Sequence, residues 1–117
     1  MRVFVYYNLH RHTWSIKALE GPRKGLVIGH SDTVLLSGAS GKVSEAGRQR
    51  VLREKRKNVH AGITGTLVHK EIEGYFPGFD EITYNPYKYS SFVYKETEQA
   101  YRGSSFAYMD NRKVYTL

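Results

Sequence analysis

"LLSGASGKVSEAGRQRVLREKRKNVHAGITGTL", residues 35–67, joins small residues, a dense charge run and an alternating apolar tail. How this run divides decides the fold. Ser37-Gly38-Ala39-Ser40-Gly41 reads as a small flexible loop. Ser44 is a good N-cap, and Glu45 at the first helical position complements the helix dipole. At 100° per residue Gly47, Val51, Leu52 and Val59 fall on one stripe, shared by Arg48 and Lys55 with their stems packed and heads at its edge. Arg50, Arg53, Arg56 and Lys57 collect on the opposite face. Asn58 tolerates the left-handed conformation and ends the helix. Val59, Ala61, Ile63, Gly65 and Leu67 then alternate with His60, Gly62, Thr64 and Thr66, which is a strand pattern.

Strand signals extend in both directions from that run. Val3–Leu9 is β-branched and aromatic, and Trp14, Ile16 and Ala18 alternate with polar residues, so the turn-length His10–Thr13 makes a first hairpin. Gly21–Gly25 is a second turn, followed by a short strand over Leu26–Gly29; His30-Ser31-Asp32 breaks it and Thr33–Leu36 resumes. Glu71–Asp80, with Gly74, Pro77 and Gly78, reads as a loop. Further strands follow near Glu81–Tyr84, Phe92–Lys95 and Ser105–Met109, and a turn at Asp110-Asn111 leads into Val114–Thr116. The pattern predicts one α+β domain over residues 1–117: a curved antiparallel sheet with one basic amphipathic helix packed against it.

A chain of 117 residues suits a single core. Its apolar share of 40% and charged share of 25% are those of a folded protein, not a disordered one. No cysteine is present, which removes disulfides and thiolate metal sites. The apolar run at the N-terminus is too short and too polar for a signal peptide or a membrane span. The net charge of +7 is uneven: residues 1–60 hold twelve Lys/Arg against four Asp/Glu, while residues 61–117 hold six against seven. Most of the excess lies in the expected helix.

Three groups of residues are candidates for function. The first is Arg48, Arg50, Arg53, Lys55, Arg56 and Lys57, spaced to follow phosphates along one helix, with Arg suited to bidentate binding. A solvated face or an acidic protein partner is the competing explanation, although only Glu54 interrupts the basic run. The second is the aromatic-rich stretch from Tyr75 to Tyr115, which includes "YNPYKYSSFVY" (84–94). Tyr84, Tyr87 and Tyr89 there could stack bases, offer a partner surface or simply fill a sheet core. The third is His10 and His12, two apart in "HRH" and on one face if the strand continues, which is part of the kit of a metal-independent ribonuclease. No metal-ligand spacing, phosphate loop or nucleophile motif completes an active site, so neither metal nor cofactor is expected.

"VFVYYNLHRHTWSIKA", "GLVIGHSD" and above all "VSEAGRQRVLREKRKNVHAGITG" resemble a group of small uncharacterised proteins encoded by phages and prophages. The resemblance covers roughly the first two thirds of the chain and carries no catalytic residues with it. It implies a host bacterial cytoplasm during infection and an accessory role such as blocking host defence, with CRISPR inhibitors prominent among such proteins. Those effectors expose guide RNA and a positively charged channel for target DNA. A basic protein does not mimic DNA, so the expected partner is the nucleic acid of a host ribonucleoprotein or an acidic effector surface. The expectation is a non-enzymatic anti-CRISPR-like inhibitor; a general phage nucleic-acid-binding protein and a small ribonuclease using His10 and His12 are the alternatives.

Overall fold

The computed structural model describes residues 1–69 and 78–117. β1 (Arg2–Asn8) and β2 (Thr13–Ala18) form the first hairpin, with Val5 opposite Ile16. Asn8 holds its turn: the side-chain Oδ1 accepts the His10 and Arg11 N–H groups at 3.0 and 3.1 Å. β3 (Val27–Ser31) runs through His30 and Ser31, leaving Asp32 alone as the break before β4 (Thr33–Val43). β5 (Ala61–Leu67), β6 (Asp80–Thr83), β7 (Val93–Tyr94), β8 (Ser104–Asp110) and β9 (Lys113–Thr116) complete a sheet ordered β3-β2-β1-β5-β4-β8-β9-β6-β7. Every pairing is antiparallel. Apart from Gly78, Phe79 and Asp80, the expected loop over 71–80 lies outside the described residues, as do Tyr75 and Phe76.

The α+β expectation is overturned. The protein is a nine-stranded antiparallel sheet, and among the described residues its one helix, α1 (Glu45–Glu54), is a connector and not a layer. Val51 is the only buried residue of α1, Leu52 is half-buried, and Val59 lies off the helix with about half its surface exposed. The N-cap is as expected: Ser44 Oγ accepts the Gly47 N–H at 3.2 Å. The end is not at Asn58, because Lys55 enters the left-handed region at φ 53° with its N–H bonded to Val51 O.

Chain closure explains the early stop. Val43 pairs with Ala61, and the Ser44 N–H donates to His60 O at 2.7 Å, so both ends of the connector must meet. A helix continued to Asn58 would end about 21 Å from Ser44 at ~1.5 Å per residue. The two remaining residues reach only about 7 Å. Stopping at Glu54 leaves six residues, whose reach of about 20 Å brings the chain home.

Ser37–Gly41 is strand, not loop. Ser37 pairs with Thr66 on one side and Phe106 on the other, and Ala39 pairs with Ser104. The register shifts between Ser37 and Ser40, where Gly38 takes φ 55°, a β-bulge that needs glycine's freedom. Crowding keeps two of its positions small: Ala39 is buried, with the Tyr101 hydroxyl donating to its carbonyl at 3.2 Å, and a Cβ on Gly41 would lie 2.9 Å from the Phe92 ring.

A single apolar cluster draws Val3 and Val5 from β1, Ile63 from β5, Ile82 from β6 and Met109 from β8. In sheet order β1 and β6 stand five positions apart, about 24 Å in a flat sheet at ~4.8 Å per strand. Their side chains share one core, so the sheet coils over on itself, and the inside of that curve is where a cavity can form.

Candidate functional site

A groove of about 900 Å³ opens on the inside of the curve. Val5, Ile63 and Ile82 contribute its apolar floor. Lys55 and Lys57, on the segment that returns from α1 to β5, line it with His60. Tyr84 and Tyr87 line it from the segment after β6, Arg112 from the β8–β9 turn and Lys113 from the start of β9. Tyr6 and Tyr7 of β1 add two more aromatic rings. The fold thus brings part of the basic segment and part of the tyrosine-rich segment to one concavity.

His60 and Tyr84 are locked together. A backbone carbonyl only accepts, so the 2.8 Å contact between His60 Nδ1 and Asn58 O places the ring proton on Nδ1. Nε2 then accepts the Tyr84 hydroxyl at 2.7 Å, with the rings edge to face at 5.4 Å. Burial pushes the Tyr84 phenol up from its ordinary value, with Arg48 opposing and Glu45 assisting, so it stays a donor. Phe92 packs on Tyr84 with ring centres 5.3 Å apart. Gly47 permits the approach of α1, since a Cβ there would lie 2.6 Å from His60 Cβ.

Arg48 ties the helix to the tyrosine segment. Its Nε donates to Pro86 O at 3.2 Å and Tyr89 O at 3.1 Å, and its Nη1 meets Glu45 Oε1 at 3.1 Å. The Gln49 amide, bonded to Glu45 at 2.7 Å, holds that carboxyl below the usual range, with Arg48 adding to the effect against a burial cost. The segment itself turns on Asn85, whose carbonyl accepts the Lys88 and Tyr89 N–H groups and whose Oδ1 accepts that of Tyr87 at 2.9 Å. Tyr87 is thereby presented with 61% of its surface exposed. Tyr89 faces other work: its hydroxyl donates to Glu98, which also pairs with Lys88 at 2.7 Å.

The cations of the groove have few competitors. Among the described residues Lys55, Lys57, Arg112 and Lys113 make no ion pair. The one carboxylate that the described residues give the lining, Glu81, is paired with Lys95 at 3.3 Å. Asn111 and Arg112 both have positive φ, 47° and 67°, the tight hairpin turn that closes β8 on β9. That turn sets the Arg112 guanidinium 5.0 Å above the Tyr7 ring, a cation–π contact.

Of the remaining sequence candidates, only His10 reaches the groove. Arg50 and Arg53 are exposed on α1, and Arg56 is exposed beyond its end. His10 lines the groove, whereas His12, at φ 55°, lines a smaller cavity of about 430 Å³ with Asp32 and Asp110. β1 ends at Asn8, so the two histidines sit in the turn and face different cavities. Among the described residues no three His, Asp or Glu side chains cluster as a metal site. No helix there is long and apolar enough to cross a membrane. The sequence reading missed His60, Tyr6, Tyr7, Arg112 and Lys113; a basic pair directly after the Asp110-Asn111 turn was the available signal.

A family described as Mycobacterium phage L5 gene 82 protein matches residues 1–117. The Gene 82 protein of Mycobacterium phage L5 is 43% identical over 120 residues, covering 97% of this chain and 94% of that protein. No solved structure matches the chain.

Proposed function

The chain belongs to the Mycobacterium phage L5 gene 82 protein family, and from that premise we propose that it is a non-enzymatic binding protein acting in the infected bacterial cell. Its groove takes the anionic backbone of a nucleic acid, free or held in a host ribonucleoprotein. The observation that carries this reading is the charge of the lining: among the described residues, four cations without ion pairs against one carboxylate that is already engaged. Such a concavity focuses positive potential on whatever enters it. Arg50, Arg53 and Arg56, exposed on and beyond α1, extend the positive surface outside the groove.

Binding is favoured over ribonuclease chemistry by the histidines. His10 and His12 face different cavities, and the Nε2 of His60 is occupied by Tyr84. In biological terms the target is a host defence ribonucleoprotein of the CRISPR type, and the protein is its inhibitor.

Salt dependence tests the charge reading. Four contacts to a single strand give a slope of log affinity on log salt near about −2.8, or roughly fifty-fold weaker binding from 50 to 200 mM. Lys57→Glu with Lys113→Glu leaves about half that slope, a loss of roughly sevenfold over the same range. The same double variant should fail to protect phage in cells carrying an active CRISPR effector. Unchanged binding and unchanged protection in that variant would refute the proposal.

A further inference from the structure

Resting on the polyanion reading, we infer that the groove selects single-stranded nucleic acid, with an unpaired base seated against Tyr87 beside Tyr84. The aromatic rings lie in a concavity, not on a ridge. Readers of duplex sequence do the reverse and push a helix or a two-stranded ribbon into a groove about 12 Å wide. Bases inside a duplex are stacked and cannot enter a hollow in a protein, whereas an unpaired base can.

Tyr87 is the ring built for that contact. It is 61% exposed and makes no ring contact among the described residues. Its backbone is pinned, because its N–H donates to Asn85 Oδ1 and the next two N–H groups satisfy Asn85 O. On a pinned backbone a tyrosine has only its two side-chain torsions to lose on stacking. Tyr84, in the same lining, spends its hydroxyl on His60, so it contributes ring surface and no competing hydrogen bond. Lys55 and Lys57 line the same groove as Arg112 and Lys113, so the phosphates of a strand seated there have cations to meet. The cation–π contact of Arg112 with Tyr7, at 5.0 Å, joins a guanidinium to an aromatic ring in the same lining.

The test uses the full chain and labelled oligonucleotides of about twelve residues, within the site sizes usual for such grooves. The probes are oligo(U), oligo(dT), an abasic strand of equal charge, a hairpin duplex with the same phosphate count, and heparin. The single strands should bind at least roughly tenfold tighter than the abasic strand or the duplex, as loss of one stacked base predicts. Tyr87→Ala should cost oligo(U) or oligo(dT) binding about five- to hundred-fold, leave abasic binding untouched and melt with the parent, with Tyr87→Phe recovering most of the loss. Preference for one of the two sugars assigns RNA or DNA within the inference. Equal affinity for duplex or abasic probe, or a silent Tyr87→Ala, overturns single-strand selection and leaves the polyanion reading intact. No binding to any probe, heparin included, at about 50 mM salt overturns both.

Discussion

Arg48 is the basic residue of the helix whose removal should be felt in stability first. Its Nε is shared between Pro86 O and Tyr89 O, and its side chain is only 18% exposed. Arg48→Ala leaves two partly sheltered carbonyls without their charged donor, and hydrogen bonds of that kind are worth about 1.5–3 kcal/mol. The ion pair with Glu45 adds little, since that carboxylate is 60% exposed and screened. A net loss of about 2 kcal/mol, set against an unfolding entropy of roughly 250 cal/mol/K for a chain of this length, lowers Tm by about 8 °C. Arg48→Lys keeps the charge but not the planar fork, and should recover less than half of the loss. Glu45→Gln should shift Tm by no more than about 2 °C, as surface pairs do. Thermal melts followed by circular dichroism at neutral pH decide the matter. A melt of Arg48→Ala within about 2 °C of the parent would refute the tie, and so would an equal loss in Glu45→Gln.

Two further outcomes follow from contacts around the groove. Gly47→Ala removes a poor helix former and on a free helix would gain up to about 1 kcal/mol. Here the new Cβ meets His60 Cβ at 2.6 Å, so the variant should lose about 1–3 kcal/mol, measured by urea unfolding; a gain in stability would sink the packing argument. Glu98 is held below the usual carboxylate range by its bonds to Lys88 and then Tyr89, against a small burial cost. A lowered folded pKa contributes stability above the ordinary carboxylate value and loses it as pH falls through the folded one. Glu98→Gln should therefore flatten part of the acid-side decline below about pH 4, read as urea midpoints at neutral and acid pH. An unchanged acid slope would show that the Lys88–Tyr89–Glu98 cluster does not act in this way.

Much of the sheet was legible because its signals are local. The β1–β2 hairpin and the strand from Ala61 to Leu67 appear where period and turn chemistry put them, and the turn expected at Asp110-Asn111 forms one residue later, at Asn111-Arg112. Ser44 as the helix cap was legible for the same reason. The end of α1 was not, because Asn58 is a sound local stop and the real constraint is the meeting of Ser44 with His60. Ser37–Gly41 misled because small residues mark both loops and crowded strands. Only the tertiary neighbours, β5 and β8 on either side of β4 and Tyr101 bonded to Ala39, distinguish the two.

By itself the sequence determined most of the strands, the start of the helix, the placement of positive charge and the likeness to phage proteins. These depend on period, capping and composition, which are properties of residues close along the chain. The tertiary structure decided which cations matter together. Curvature of the sheet brings Lys57, Tyr84 and Arg112, far apart in sequence, to one groove, and the closure of α1 turns Arg48 into a tie between elements. A basic face drawn on a helical projection assumes that the helix continues; where two strands must meet at its ends, chain geometry overrides the pattern.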